Sequence, residues 1–208
     1  MLPDLEPELR RAEITDVPIL VEVLARAFDD DPMPNFLFPG EKRRHRGLRR
    51  FFSIQLRHMY LADGEVWTTT DTAGAALWAL PSKPRPDRRN VLHFVSVLPD
   101  LAGLGGRAAD AMHLLQSVDR ARPREEHWYL ATLGIDPDRQ GQGVGSALLR
   151  KVLERADSEG LPAYLESSKE RNLVFYERHE FEVTGEIHTP GGGPTLWLMW
   201  RECRPALG

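Results

Sequence analysis

The chain has 208 residues, 41% of them apolar, enough to bury a sizeable core without metals or cross-links. A net charge of −4 argues against a general nucleic-acid binder, and a single cysteine, Cys203, excludes an internal disulfide and fits a reducing cytoplasm. No apolar run reaches the roughly 18 residues needed to span a bilayer, and the acidic, proline-broken start Met1-Leu-Pro-Asp-Leu-Glu-Pro-Glu8 does not read as a signal peptide, so no membrane partner is expected. In chain order, Leu9 to Ile14 is the first predicted strand. Thr15 or Asp16 is the expected cap of a helix that tolerates Pro18 in its first turn and carries Leu20, Val21, Leu24 and Phe28 on one face. Asp29-Asp30-Asp31-Pro32 ends that helix, and a second is expected over Glu41 to Leu61. Glu65 to Thr70 and Ala75 to Leu80 read as a hairpin around Asp71 to Gly74. Pro81 to Pro86 reads as a loop, and residues 88 to 121 as helical with breaks near Pro99 and Gly103 to Gly106. An apolar run from His127 to Ile135 reads as a buried strand, broken by Asp136-Pro137-Asp138. An amphipathic helix follows, apolar at Val144, Leu148, Leu149, Val152, Leu153 and Ala156. A strand Ala163 to Glu166, a short helix, and strands Phe181 to His188 and Thr195 to Trp200 close the chain. This alternation suits an α/β domain, a mixed sheet flanked by helices.

The turn after Ile135 carries most of the functional information. In Gln140-Gly141-Gln142-Gly143-Val144-Gly145 a strand, a glycine-rich turn and a helix start meet. Unpaired backbone N–H groups and the positive end of a helix dipole converge there, and glycine lets the backbone approach a bulky anion. A phosphate-bearing ligand is therefore expected. The dinucleotide fingerprint is partly met by Gly141, Gly143 and the later Glu166. It fails on three counts: Asp136 to Gln140 separate the strand from the first glycine, Ser146 replaces the third glycine, and too little chain follows Glu166 for the remaining βαβ units. No Gly-Lys-Ser/Thr follows the glycines, which excludes a nucleoside triphosphate loop.

Two motifs in order, Gln140-Gly-Gln-Gly143-Val-Gly145 and Ala163-Tyr-Leu-Glu166 with the helix Asn172-Leu-Val-Phe-Tyr176-Glu-Arg-His-Glu-Phe181, resemble the acetyl-coenzyme A site of the GNAT superfamily of N-acetyltransferases. Leu165-Glu-Ser-Ser168, Arg171-Asn172, Phe175-Tyr-Glu-Arg178 and Gly191-Gly-Gly-Pro-Thr-Leu-Trp197 look most like the puromycin N-acetyltransferase branch. The resemblance implies one domain over residues 1–208, with a mostly antiparallel, twisted sheet of six to seven strands splayed at the coenzyme. Residues 1–80 would form its N-terminal half, 81–126 a helical segment near the acceptor, and 127–202 the coenzyme-binding core. It further implies that Gln140, Gly141, Gln142, Gly143, Val144, Gly145 and Ser146 cradle the pyrophosphate. Leu133, Gly134 and Ile135 would pair with the pantetheine arm and supply N–H groups to the oxyanion, with Gly134 letting the backbone splay. Two departures stand out. The family's asparagine seven positions before the helix tyrosine is Lys169 here, so Asn172 either contacts the coenzyme or caps the short helix. The glycine before the last Phe is Glu180; a left-handed non-glycine cap costs roughly 1 kcal/mol, so the helix is expected to end another way.

Acetylating an amine requires a neutral nucleophile, and an alkylammonium of pKa ~10 is only about one part in a thousand neutral at pH 7. Glu166 is the candidate base or water-positioning group; its alternative is a helix cap or an ion pair with Lys169 or Arg171. Tyr176 faces the sulfur in the family pattern. It either protonates the thiolate, uphill by about 2 kcal/mol at ordinary pKa values, or hydrogen-bonds it, or packs with Phe175 and Phe181 as core. Asp29, Asp30 and Asp31 either bind a cationic acceptor or form a solvated acidic turn. The basic run Lys42 to Arg46 with Arg49 and Arg50 reads as a solvated face that can steer an anionic coenzyme. Seven histidines without ligand spacing give no metal site. Trp67, Trp78, Trp197 and Trp200 read mostly as core, with Trp78 alternatively lining an acceptor pocket. Three functions follow: direct N-acetylation of a small-molecule amine in a ternary complex, acetylation of a protein lysine or N-terminus, or a non-catalytic acyl-coenzyme A sensor. The first leads, with no catalytic cysteine for an acyl-enzyme, no nucleic-acid partner, and a cytoplasmic monomer or homodimer expected.

Overall fold

A seven-stranded sheet in the order β1-β2-β3-β4-β5-β7-β6 organises the computed structural model, which describes residues 7–82 and 107–204. Its strands are β1 Leu9–Arg11, β2 Gly64–Thr69, β3 Gly74–Ala79, β4 Trp128–Ile135, β5 Ala163–Ser167, β6 Glu182–His188 and β7 Thr195–Arg201. All neighbours are antiparallel except β4 and β5. The helices are α1 Val17–Ala27, α2 Pro32–Leu37, α3 Glu41–Ile54, α4 Leu61–Asp63, α5 Arg107–Ala121, α6 Val144–Glu159 and α7 Leu173–Glu177. Side chains alternate across the sheet as strand geometry requires. Ala75, Leu77 and Ala79 of β3 pack with α1 and α3, while Ala76 and Trp78 pack with α6.

Several expectations are corrected by contacts remote in sequence. The first strand stops at Arg11 because the Asp16 carboxylate accepts from the Glu13 N–H at 2.7 Å and from Arg10 at 2.7 Å, folding Ile14–Asp16 into a 3-10 turn. Asp16 precedes α1 without capping it through its side chain. The expected helix over Glu41 to Leu61 is continuous but widens into a π turn at Gln55–Tyr60. That turn lays Gln55 against β4, where its side-chain oxygen accepts from the Thr132 hydroxyl at 2.8 Å. Trp78 lines no acceptor pocket: it is fully buried on the α6 side, edge-on to Trp128 at 6.4 Å. Residues 88–106 of the expected helical stretch, with the breaks near Pro99 and Gly103, and all but the first two residues of the expected loop Pro81 to Pro86 lie outside the described residues.

The end of α7 is a further correction. Glu180 does adopt the left-handed conformation, at φ 69°. The Phe181 N–H bonds back to the Tyr176 carbonyl at 3.1 Å, and fully buried Phe181 anchors the turn. Arg201 and Arg204 hold the Glu180 carboxylate, so ion pairs offset the backbone cost.

The functional geometry begins where β4 and β5 part. They pair over Trp128–Leu130 and Ala163–Leu165. Beyond that point β5 stays with β7 through Ser167, while β4 stays with β3 to Ile135. The β3 register skips Ala131, since Trp78 faces Leu130 and Leu77 faces Thr132, a bulge that bends β4 at the parting.

Candidate functional site

The parted strands open a cleft of about 650 Å³. Leu133, Gly134 and Ile135 line it from β4; Gln140, Gly141, Gly143, Val144, Gly145 and Ser146 line it from the turn and α6; Asn172 and Tyr176 line it opposite. Gly141 and Gly143 take left-handed φ values of 75° and 80°. The first bond of α6 runs from the Ala147 N–H to the Gly143 carbonyl, and no side chain caps the helix. The N–H groups of Val144, Gly145 and Ser146 therefore precede the helical ladder and have no backbone partner among the described residues, which is the chemistry of an anion site. The Gln140 amide donates to the Ile135 carbonyl at 3.1 Å and ties the turn to the strand end. Gln142 is the exception: it accepts from Arg139 at 3.0 Å and donates to the Asp138 carbonyl at 3.2 Å, off the cleft lining.

The strand edge follows from alternation. The Asp136 N–H bonds to Ala73 at 2.9 Å, on the β3 side. Counting back by twos, the backbone groups of Leu133 and Ile135 face the cleft. Gly134 has a reason beyond splaying the backbone: a Cβ there would lie 2.6 Å from Leu24 and 3.1 Å from Phe28, so glycine admits α1 against β4.

Tyr176 and Asp31 share one end of the cleft. Asp31 is 4% exposed, caps α2 by accepting from the Met33 N–H at 2.9 Å, and accepts from the Ser168 hydroxyl at 2.6 Å. Both bonds fall on Oδ1. Burial pushes the Asp31 carboxyl above its ordinary range, against the pull of Ser168. Burial, then the nearby Asp31 charge, pushes the Tyr176 phenol up, so it stays protonated at physiological pH. The acidic run divides: Asp31 is buried, whereas Asp29 and Asp30 lie in a partly solvated turn, 38% and 56% exposed at their side chains. Asp29 pairs with Arg44 at 2.9 Å, and Asp30 pairs with Lys169 and Arg171, which hold its carboxyl low against partial desolvation. Asp29 to Pro32 is read from the sequence only as the end of α1; the Asp31-Pro32 pair is also a helix-start signal and would have identified the cap.

Glu166 is absent from the cleft lining. The Tyr129 hydroxyl donates to its Oε2 at 2.8 Å, and Arg122 sits 4.0 Å from Oε1 while lying 4.2 Å over the Tyr129 ring. Burial raises the Glu166 carboxyl; Arg122 and the Tyr129 hydroxyl draw it back. It neither caps a helix nor pairs with Lys169 or Arg171, the alternative the sequence suggested. Sequence reasoning missed Arg122 and Tyr129, because nothing local to either signals a partner on another strand. Asn172 lines the cleft and makes no side-chain cap bond to α7. The basic run lies elsewhere, along α3, with Arg44 and Arg49 paired to Asp29 and Glu22. Among the described residues no helix is long and apolar enough to cross a membrane, and no three His, Cys, Asp or Glu converge on a point that could hold a metal.

Comparison with known proteins agrees with this geometry. The acetyltransferase (GNAT) family model matches residues 112–181. An uncharacterised N-acetyltransferase of Schizosaccharomyces pombe is 28% identical over 188 residues, covering 86% of this chain and 76% of its own. The crystal structure of a histone acetyltransferase HPA2 and related acetyltransferase from Corynebacterium glutamicum is 29% identical, with a TM-score of 0.71 over 98% of this chain and 100% of that one. The PaiA N-acetyltransferase of Thermoplasma acidophilum, solved in complex with coenzyme A, shares the fold at 12% identity, with a TM-score of 0.54 over 95% of this chain and 99% of its own.

Proposed function

We propose that this chain, similar to the GNAT acetyltransferase family over residues 112–181 and to an N-acetyltransferase at 28% identity, is itself such an enzyme and moves an acetyl group from acetyl-coenzyme A directly to a primary amine of a small molecule, within one ternary complex. One observation carries the coenzyme part: the open N–H groups at the start of α6 end a cleft whose wall is the unpaired edge of β4. The coenzyme pyrophosphate suits the first, an extended pantetheine arm the second. In this reading the cleft-side N–H groups of β4 hold the thioester oxygen as the amine nitrogen attacks the carbonyl carbon. The carbon–sulfur bond breaks, the Tyr176 hydroxyl donates a hydrogen bond to the departing thiolate, and a carboxylate takes the proton the amine releases. Asp31 comes first for that last role because it lines the cleft with a raised pKa. Glu166 comes second, reached through water.

A small acceptor is favoured because Arg122, just beyond α5, packs over the Tyr129 ring and against Glu166, filling the space beside that carboxylate. The likeness to the puromycin N-acetyltransferase branch makes aminonucleosides the first trial. The test is a panel of amines with acetyl-coenzyme A, following free thiol release. Turnover of small cationic amines is expected. Acetylation of folded-protein lysines with no small amine turned over would transfer the assignment to a protein acetyltransferase. Coenzyme binding without any transfer would leave a sensor.

A further inference from the structure

Two successive acids, Asp30 and Asp31, meet the loop that follows β5, and that loop divides its donors between them. Ser168, the first residue beyond β5, donates its hydroxyl to Oδ1 of Asp31 at 2.6 Å. Lys169 and Arg171 go instead to the two carboxylate oxygens of Asp30. The second donor to Asp31 is the Met33 N–H, again on Oδ1, which leaves Oδ2 without a hydrogen-bond partner among the described residues. The Ser167 hydroxyl donates to the Lys169 carbonyl at 3.3 Å, and β7 pairs with β5 through Ser167, so Ser168 stands on a fixed strand end.

That division has a chemical consequence. A cation in contact with a carboxylate stabilises its charge and makes it a poorer base, whereas a neutral hydroxyl orients it at a smaller loss of basicity. With Asp30 drawing both cations, the groups facing Asp31 are the neutral Ser168 and Met33 donors, the protonated Tyr176 phenol, the Asp30 charge, and Lys169 through its charge alone. Asp30 opposes ionisation of Asp31, while Ser168, Met33 and Lys169 favour it. We infer that Ser168 and Asp30 are positioning residues for the transfer: Ser168 ties down Oδ1 of Asp31 so that Oδ2 meets the acceptor amine, and Asp30 keeps Lys169 from that oxygen. The inference rests on the assignment of Asp31 as the base in the reading above.

Turnover of puromycin, or of the best amine in the panel above, tests it when followed against pH at saturating substrates, because the acid limb of kcat follows the base in the complex. Ser168→Ala removes a bond that favours the charged carboxylate, so the limb should move up by about one pH unit, the scale of one charge-assisted hydrogen bond. Ser168→Thr should restore it. Ser168→Cys keeps the volume but donates weakly, so it should move the limb in the alanine direction and decides the matter if the alanine variant does not fold. Asp30→Asn removes the neighbouring negative charge and releases Lys169, so the limb should move the opposite way, down by about half a unit or more. A limb that stays in place in the Ser168 variants, or that fails to move down in Asp30→Asn, means that these residues only brace the two loops, and overturns the inference. An acid limb that survives Asp31→Asn removes Asp31 as the base, and an unaltered protein that turns over no amine removes the transfer itself. Either result takes away the premise, and each is distinct from an immobile limb.

Discussion

Tyr176 and Asp31 constrain one another chemically. A buried phenol beside a carboxyl group has its pKa raised, so it can donate a hydrogen bond but does not readily give up its proton. Full proton transfer to a thiolate is then more uphill than ordinary pKa values suggest, which favours hydrogen-bond stabilisation of the leaving group. Tyr176→Phe keeps the ring packed against Phe181, 6.0 Å away, and should leave coenzyme affinity nearly unchanged. Turnover should fall by about 10–10²-fold, the value of one hydrogen bond to a developing charge; near-full turnover at saturating substrate would return Tyr176 to a packing role. Asp31 makes a prediction with a sign. Its folded pKa is raised, so it favours the fold while protonated, and that contribution is lost as pH rises through the folded value. Asparagine can still cap Met33 and accept from Ser168, yet it cannot ionise. Asp31→Asn should therefore match the unaltered protein in acid and melt higher near neutrality, measured as Tm from about pH 4 to 8, while turnover drops by about 10²-fold or more. A Tm advantage that shrinks with rising pH would mean that the hydrogen bonds outweigh burial. Tyr176 was legible in the sequence because its motif is local; the carboxylate in the cleft was not, because Asp31 and Tyr176 meet only through the fold.

At the scale of elements, the glycine turn and α6 were readable because a strand, a turn and a helix in succession obey local rules. The parting of β4 from β5 was not derivable from the residues, since it depends on β7 holding β5 through Ser167 while β3 holds β4. The end of α7 was misread for the same kind of reason: the ion pairs that support Glu180 come from Arg201 and Arg204, beyond the next hairpin. Gly143 lets the turn be tested without wrecking the fold. A Cβ there meets nothing within 4 Å, so the cost of a side chain is only that of φ 80°, roughly 1 kcal/mol, or about 2–4 °C in Tm. An aspartate at the helix start even suits the dipole. Gly143→Asp should thus remain folded by circular dichroism and lose coenzyme binding by at least about a hundredfold, because its carboxylate occupies and repels the anion position. Gly145→Ala is the control: its methyl would sit 3.5 Å from Phe175, an ordinary contact, and should be tolerated in folding. Unchanged affinity in Gly143→Asp would remove the turn from the site.

Across the whole molecule, composition and alternation were enough to read a mixed α/β sheet flanked by helices, but not one in which β7 sits between β5 and β6. That order matters because it leaves the sheet's middle, not its rim, incomplete: among the described residues, β4 beyond Leu130 has no strand paired with it on the β5 side. An extended ligand arm in that gap would act as a missing strand, with its phosphates at the start of α6 and its thioester beside Tyr176. Binding should then stabilise the fold and do so locally. At coenzyme a hundredfold above Kd, mass action adds about 2.7 kcal/mol, which at about 2–4 °C per kcal/mol raises Tm by about 5–10 °C. Amide exchange should slow most at the cleft-side positions Leu133 and Ile135 and at Val144, Gly145 and Ser146, and least in the β2–β3 hairpin, whose backbone is already paired. The Tm rise alone reports only that something binds the folded state. The exchange pattern reports where, and slowing no greater in β4 than in β1 to β3 would mean that the ligand seats elsewhere and the gap in the sheet is structural.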